Sequence, residues 1–134
     1  MTPETNLLIN LSNHKSDGWS DDQKAGYYIV DLPFPNIDPN MTTQDVKKIV
    51  NEYEERIWGI VKEVASSNPH PEHYVKVHIM LQGEYTFCYL LFDIIRHTEW
   101  TLMIPTTERI VEEKIVDGKT IKTSIFKFVK WRMI

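Results

Sequence analysis

Four short segments of the chain have the hydrophobic pattern of β-strands. Residues 7–11 form an apolar run typical of a buried strand, and residues 28–32 form a second candidate. Residues 74–80 alternate apolar and polar side chains with the period of two expected for a strand, and residues 101–104 form a fourth candidate. The pattern therefore predicts four strands separated by longer connections.

Three of those connections contain helical patterns. Ser20 is a natural N-cap for a short helix, with Gln23 positioned for a capping box and Trp19 for a hydrophobic staple. Residues 43–66 place apolar side chains at intervals of three and four, which predicts a long amphipathic helix. Residues 85–97 are apolar on nearly every side, so we expect this helix to be buried on both faces, by its own sheet and by a second subunit.

A hairpin is predicted at the end of the chain, where residues 110–116 and 119–131 flank Asp117-Gly118. The whole order is β-α-β-α-β-α-β followed by this hairpin. Strands that alternate with helices favour a mainly parallel sheet with right-handed crossovers. We therefore predict one α/β domain over residues 1–134, with a Rossmann-like sheet, helices on both faces and a C-terminal antiparallel hairpin.

Composition narrows the function classes. The chain has 134 residues, one cysteine and a net charge of −4, which excludes a disulfide scaffold and argues against generic DNA or RNA binding. No apolar run approaches the roughly 20 residues needed to cross a bilayer, and no signal peptide pattern precedes the first strand. We expect a soluble cytoplasmic protein with no membrane partner.

Polar segments follow three of the predicted strands. Because ligands of open α/β sheets bind beyond the carboxyl ends of the strands, we expect these segments to converge if their strands are neighbours. The candidate binding residues are Ser12, Asn13 and His14 after the first strand, Gly83 and Thr86 after the third, and Thr106, Thr107 and Arg109 after the fourth.

These residue types suit a phosphate-bearing ligand. A helix that begins near Gly83 presents backbone N–H groups and the positive end of its dipole. Threonine hydroxyls bind phosphate or ribose, and Arg109 offers a planar fork of donors. His14 is the natural candidate for proton transfer, because imidazoles change charge near neutrality.

Each segment also has a plainer interpretation. The Ser12-Asn13-His14 segment can simply be a loop held together by its own hydrogen bonds. Gly83-Glu84 can be an ordinary strand-to-helix turn, and the Glu84 charge disfavours a neighbouring phosphate. Three histidines, His70, His73 and His78, lack the spacing of a metal site, and no phosphate-loop or dinucleotide fingerprint occurs. No metal or cofactor is expected.

Several segments resemble one family. They are residues 9–14 (Ile-Asn-Leu-Ser-Asn-His), 31–35 (Asp-Leu-Pro-Phe-Pro), 83–87 (Gly-Glu-Tyr-Thr-Phe), 106–109 (Thr-Thr-Glu-Arg) and 128–132 (Phe-Val-Lys-Trp-Arg). Together they resemble small, stand-alone CRISPR-associated proteins related to the CARF (CRISPR-associated Rossmann fold) ligand-binding domains. The chain departs from that pattern at Met80-Leu81-Gln82 and at Pro105.

The resemblance implies a homodimer whose shared cleft binds cyclic oligoadenylate, the second messenger of type III CRISPR antiviral defence. It further implies a ring nuclease that cleaves this ring without metal, with His14 and Arg109 as catalytic residues and the other six candidates as binding residues. The helix at 85–97 is the expected dimer interface. Two alternatives stay open: a non-catalytic nucleotide sensor or sink, and an interaction protein without a ligand.

Overall fold

Strands and helices alternate along the computed structural model, which describes residues 4–134. The elements are β1 (Glu4–Leu11), a 3₁₀ turn (Ser16–Gly18), α1 (Asp21–Lys24), β2 (Tyr28–Asp31), α2 (Thr43–Ser66), β3 (Tyr74–Leu81), α3 (Tyr85–Ile95), β4 (Thr101–Val116) and β5 (Lys119–Met133). The predicted positions of β1, β2, β3 and all three helices are confirmed, with small shifts at their ends.

The strands form one mixed sheet in the order β2-β1-β3-β4-β5. The first four strands are parallel, with Leu7 opposite Tyr28, Glu4 opposite Tyr74 and Met80 opposite Met103. The fifth strand is antiparallel to β4. The predicted α/β class, with a mostly parallel sheet and a C-terminal antiparallel hairpin, is confirmed.

One strand prediction is wrong. The fourth strand does not end at Pro105 but continues to Val116, so the predicted loop at residues 106–109 is part of β4. Strand β4 pairs with β3 only through Thr101–Met103, and a proline is tolerated beyond that point because β5 is the only remaining neighbour. The Asp117-Gly118 turn has φ angles of 51° and 75°, as a tight two-residue hairpin requires.

Helices α2 and α3 pack on the main core. Val50, Ile57 and Phe87 are buried there together with the inward side chains of β1 and β3. A second, smaller cluster joins Leu8, Met80 and Met103 to partly buried aromatic side chains, which are Trp19, Tyr27 and Trp131. Successive residues of a strand point to opposite faces of the sheet, so alternate residues of β1 and β3 belong to different clusters.

Part of the predicted cap of α1 is confirmed: Ser20 is the N-cap, whereas the aromatic contact of Trp19 is with β5. The Ser20 hydroxyl accepts a hydrogen bond from the Gln23 amide at 3.2 Å, and Trp19 packs edge-on against Trp131. The start of α2 has a complete capping box between Thr42 and Asp45. Each cap satisfies amides that would otherwise lack a partner in the first helical turn.

Helix α3 buries one side against its own chain, as expected, and its other side, which is expected to meet a second subunit, is exposed in the single chain. Phe87, Leu91 and Ile95 are buried, whereas Tyr85 and Tyr89 are 77% and 70% exposed. Among residues 4–134, no helix is both long enough and apolar enough to span a bilayer.

Candidate functional site

The strand order reverses at β1. From β1 the chain passes to β2 on one side, then crosses back so that β3 lies on the other side. The two carboxyl ends that flank this reversal are in contact, because the Gln82 amide donates to the Leu11 carbonyl at 3.2 Å. The polar segments after β1 and β3 therefore lie at one edge of the sheet, as predicted.

A buried hydrogen-bond network shapes the loop after β1. Asn10, which is almost fully buried, donates through Nδ2 to Asp31 Oδ1 at 2.9 Å and to the His14 carbonyl at 2.7 Å. The Ser12 hydroxyl donates to Asn10 Oδ1 at 2.7 Å and accepts from the His14 amide at 3.2 Å. Ser12 thus holds the loop in shape, which agrees with the plainer interpretation of this segment.

The network leaves three side chains of this loop free at the surface. Asn13, His14 and Lys15 are exposed and line a pocket of about 170 Å³. The opposite wall comes from the end of β2 and the segment after it, from Asp31 to Phe34. The pocket therefore sits at the carboxyl ends of β1 and β2, and we call it the β1 pocket.

Two residues of the β1 pocket were missed by sequence reasoning. Asp31 ends β2, and its carboxylate also accepts from the Ser16 amide at 3.2 Å and 3.3 Å. Lys15 follows directly after His14. The signal for Asp31 was available, because an acidic residue about 20 positions after the first strand end is where many nucleotide-binding sheets hold a ribose hydroxyl.

At the start of α3, two of the amides expected to bind an anion are already engaged by a side chain of this protein. Glu84 is the N-cap, and its two carboxylate oxygens accept from the Thr86 and Phe87 amides, each at 2.9 Å. The hydrogen bond from the Phe87 amide is the main cause of a lowered Glu84 pKa. A carboxylate already occupies the position that a phosphate would take.

Gly83 makes room for a side chain of this protein rather than for a ligand. The Phe34 ring lies so close to Gly83 that a Cβ there would overlap it, and the same ring packs against Phe87 with centroids 4.9 Å apart. The close approach predicted at residue 83 is present, but its partner is the loop after β2. Thr86 is exposed and lines a separate hollow beside Asp38.

The remaining candidates lie on the hairpin. Thr106 is half-buried and Thr107 is exposed, at an irregularity in the β4–β5 register. Arg109 is exposed, and its Nε and Nη2 both donate to Ser124 Oγ, at 3.1 Å and 2.9 Å. At about 3.3 Å per residue, Arg109 lies roughly 16 Å along β4 beyond Ile104. The structure does not bring Arg109 into the β1 pocket of its own chain.

A larger apolar groove lies beside α3. It has a volume of about 460 Å³ and is lined by Leu81, Gln82, Gly83, Tyr85, Cys88, Tyr89, Phe92, Leu102 and Ile104. The Tyr85 and Tyr89 rings stack with centroids 6.2 Å apart at its edge. Burial, aided by the nearby Glu84 charge, raises the pKa of the Cys88 thiol to about 11. We call this feature the α3 groove.

The histidines in and near β3 have separate contacts. His73 Nε2 is 2.7 Å from the Thr5 hydroxyl, His70 Nδ1 accepts from the Glu72 amide, and His78 is buried edge-on against Tyr27. Within residues 4–134, no three His, Cys, Asp or Glu side chains are grouped so that they could hold a metal ion.

A protein-family model matches nearly the whole chain. Residues 6–132 match the family described as "Uncharacterized protein MJ1673 family". No curated protein and no solved structure matches the chain significantly. Since the match covers nearly the whole sequence, the chain belongs to the MJ1673 family.

Proposed function

We propose that the protein binds cyclic oligoadenylate at the β1 pocket, as a stand-alone CRISPR-associated protein of the CARF type. One observation carries the proposal: Asn13, His14, Lys15 and Asp31 surround a pocket at the carboxyl ends of β1 and β2, one strand away from the reversal of strand order between β1 and β3. Open α/β sheets bind their ligands beyond the carboxyl ends of the strands, which is where this pocket lies.

The finer description of the fold belongs to the same proposal. We take the sheet to be Rossmann-like and doubly wound, with α1 on one face and α2 and α3 on the other. The order β2-β1-β3-β4 and the two side-chain clusters on opposite sides of the strands support this assignment. With right-handed crossovers, a connection to the left and a connection to the right place their helices on opposite faces.

The pocket residues divide the recognition of a nucleotide between them. The Lys15 ammonium supplies the positive charge for a phosphodiester, and the Asp31 carboxylate accepts a hydrogen bond from a ribose hydroxyl. The Asn13 amide both donates and accepts, as adenine recognition requires. At about 170 Å³ the pocket is smaller than the usual small-molecule site, so it holds one unit of a larger ring.

Cleavage is the further part of this proposal, and it needs no metal. A ribose 2′-oxygen attacks the adjacent phosphorus, the bond from phosphorus to the 5′-oxygen breaks, and a 2′,3′-cyclic phosphate and a 5′-hydroxyl form. His14, exposed at the pocket edge, takes the proton of the attacking hydroxyl or returns one to the leaving oxygen. Holding the attacking and leaving oxygens in line supplies the rest of the acceleration.

Binding without cleavage is the second candidate. It is favoured by the internal hydrogen bonds of Ser12 and of the first α3 amides, which are therefore not free to stabilise a transition state. Arg109 also takes no part within its own chain, so in our proposal it reaches a ring only from a second copy. Both candidates place the protein as a homodimer in the cytoplasm, where its single cysteine remains reduced.

A ligand screen tests the proposal. Cyclic oligoadenylates of several ring sizes are added to the protein in EDTA, with linear oligoadenylate and AMP as controls. One ring is expected to raise the melting temperature, since a ligand at 100 times its dissociation constant contributes about 2.7 kcal/mol. Chromatography of the same samples separates intact ring from linear product. No stabilisation by any ring would overturn the proposal.

A further inference from the structure

The β4–β5 hairpin extends well beyond the sheet. Past Met103, strand β4 has left β3 and pairs only with β5. We call residues 104–132 the arm. Its first strand runs from Ile104 to Val116, which at about 3.3 Å per residue is roughly 40 Å. The arm is therefore long enough to reach across a domain of this size.

The arm carries apolar side chains that its own chain leaves uncovered. Phe126 is 69% exposed and Ile115 is 79% exposed, and exposed aliphatic residues continue on both sides of the ribbon at Ile110, Val111, Ile121 and Ile125. An isolated two-stranded hairpin is marginally stable in water at best. A ribbon with this composition needs a partner surface.

The arm and the rest of the chain carry net charges of opposite sign. The arm has seven Lys and Arg against four Asp and Glu, a net charge of +3, whereas the remainder has eight against fifteen, a net charge of −7. The body of a second copy is therefore the electrostatic complement of the arm. This charge pattern selects another molecule of the same chain over a basic partner.

The α3 groove provides the apolar surface on that second copy. It lies at the foot of the arm, because Leu102 and Ile104 of β4 form part of its lining. A two-fold axis near this point lets each arm cross the groove of the other copy, so both contacts form at once. The exposed Tyr85 and Tyr89 rings then meet the apolar side chains of the arm.

We propose that two copies of this protein associate by reciprocal exchange of their arms, each β4–β5 hairpin packing in the α3 groove of the other copy. This interface supplies the homodimer that the proposed function assumes. It is tested without nucleotide, so the interface can fail while ligand binding at the β1 pocket stands, and ligand binding can fail while the interface stands.

Sedimentation velocity at several concentrations measures the association of the wild type and of three variants. The arm variant carries Phe126→Ser and Val129→Ser, two exposed positions near the foot of the arm, and the groove variant carries Tyr85→Ser and Tyr89→Ser. Each is expected to raise the dimer dissociation constant at least about tenfold. Tyr28→Ser, which removes an exposed aromatic ring at the opposite edge of the sheet, is expected to leave association unchanged. Circular dichroism confirms that every variant remains folded.

Mixing the two defective variants tests the pairing itself. A heterodimer of arm variant and groove variant retains one intact contact, whereas each homodimer has none. Native mass spectrometry of an equimolar mixture is therefore expected to show more than twice as much heterodimer as either homodimer, twofold being the ratio that random pairing would give. Added salt is expected to weaken the wild-type dimer, since the contact joins opposite charges. A monomeric wild type, a groove variant that dimerises normally, or a mixture without heterodimer would each overturn the proposal.

Discussion

The Phe34 ring rests on the backbone of Gly83, so closely that no side chain fits at residue 83. The same ring meets Phe87 at 4.9 Å, with an angle of 70° between the ring planes. This contact joins the segment after β2 to the segment after β3. It fixes one wall of the β1 pocket, because Phe34 also belongs to that lining.

Gly83→Ala is expected to destabilise the protein by about 1–3 kcal/mol, the usual cost of overpacking a well-filled site. Urea unfolding measures the change. Gly59→Ala is the matched control, because position 59 in α2 is open and alanine is a better helix former than glycine. That control is expected to stabilise the protein by up to about 1 kcal/mol.

Replacing Phe34 with a smaller side chain tests whether its ring causes the destabilisation by Gly83→Ala. In a Phe34→Leu background, Gly83→Ala is expected to cost less than it does in the wild type, because the obstructing ring atoms are absent. If the cost of the alanine is the same in both backgrounds, the close contact with Phe34 is not its source.

Glu84→Ala is expected to destabilise the protein by about 0.5–1 kcal/mol, because the Thr86 and Phe87 amides lose their acceptor. The lowered Glu84 pKa also sets the direction of the pH dependence of stability. The stabilisation is present above the ordinary pKa of a glutamate and is lost as the pH falls through the lower folded value. Thermal melting at pH 7 and pH 3 checks both parts. Glu99→Ala, an exposed glutamate that begins no helix, is the control.

Most of the fold follows from local pattern. The long helix Thr43–Ser66 has both a capping box and an uninterrupted apolar stripe, so its limits are readable from the sequence. Pro105 misled the prediction of β4, because a proline interrupts a strand only where a neighbouring strand would pair with the missing N–H. Whether β4 still had β3 beside it at that point depends on pairing, which local pattern does not contain.

The sequence predicted the candidate site less completely than it predicted the fold. His14 and Asn13 lie at a strand end as expected, but the sequence did not decide whether the polar groups beside them are free or bound to their own loop. Ser12 and Glu84 each bind their own backbone first, at 3.2 Å and 2.9 Å. Only three-dimensional proximity shows that a polar side chain near a strand end is already engaged.

Lys15 and His14 are expected to have different roles in the β1 pocket. Lys15→Ala is expected to weaken binding of the cyclic oligoadenylate about tenfold and to reduce its salt dependence, because one phosphate contact is lost. His14→Gln is expected to keep binding within about threefold while slowing any ring cleavage at least about tenfold. Calorimetry and product chromatography measure the two effects. Lys76→Ala, an exposed lysine near the other end of β3, is the control, and an equal loss of binding with it would contradict the role of Lys15.

Cys88 is expected to react slowly with thiol reagents in the folded protein. Its pKa of about 11, against an ordinary value of 9.0, leaves about 100-fold less thiolate at pH 8. Reaction with a disulfide reagent, followed by absorbance with and without urea, checks this expectation. Glu84→Gln removes a charge that raises the pKa, so it is expected to speed the reaction modestly. A folded protein that reacts as fast as the unfolded chain would contradict the burial of this thiol.

His78 is expected to make the protein less stable in mild acid. It is buried in β3, its Nδ1 has no hydrogen-bond partner, and burial lowers its pKa, with a smaller contribution from the Lys76 charge and a small opposing one from Glu4. The unfolded chain takes up a proton at about pH 6.5, whereas folded His78 stays neutral to lower pH, so stability falls as the pH drops below about 6.5. Urea unfolding at pH 7.5 and pH 5.5 is expected to show this loss in the wild type and less of it in His78→Met. The exposed His97, replaced by glutamine, is expected to leave the pH dependence as it is in the wild type. Equal slopes for the wild type and His78→Met would assign the effect to other groups.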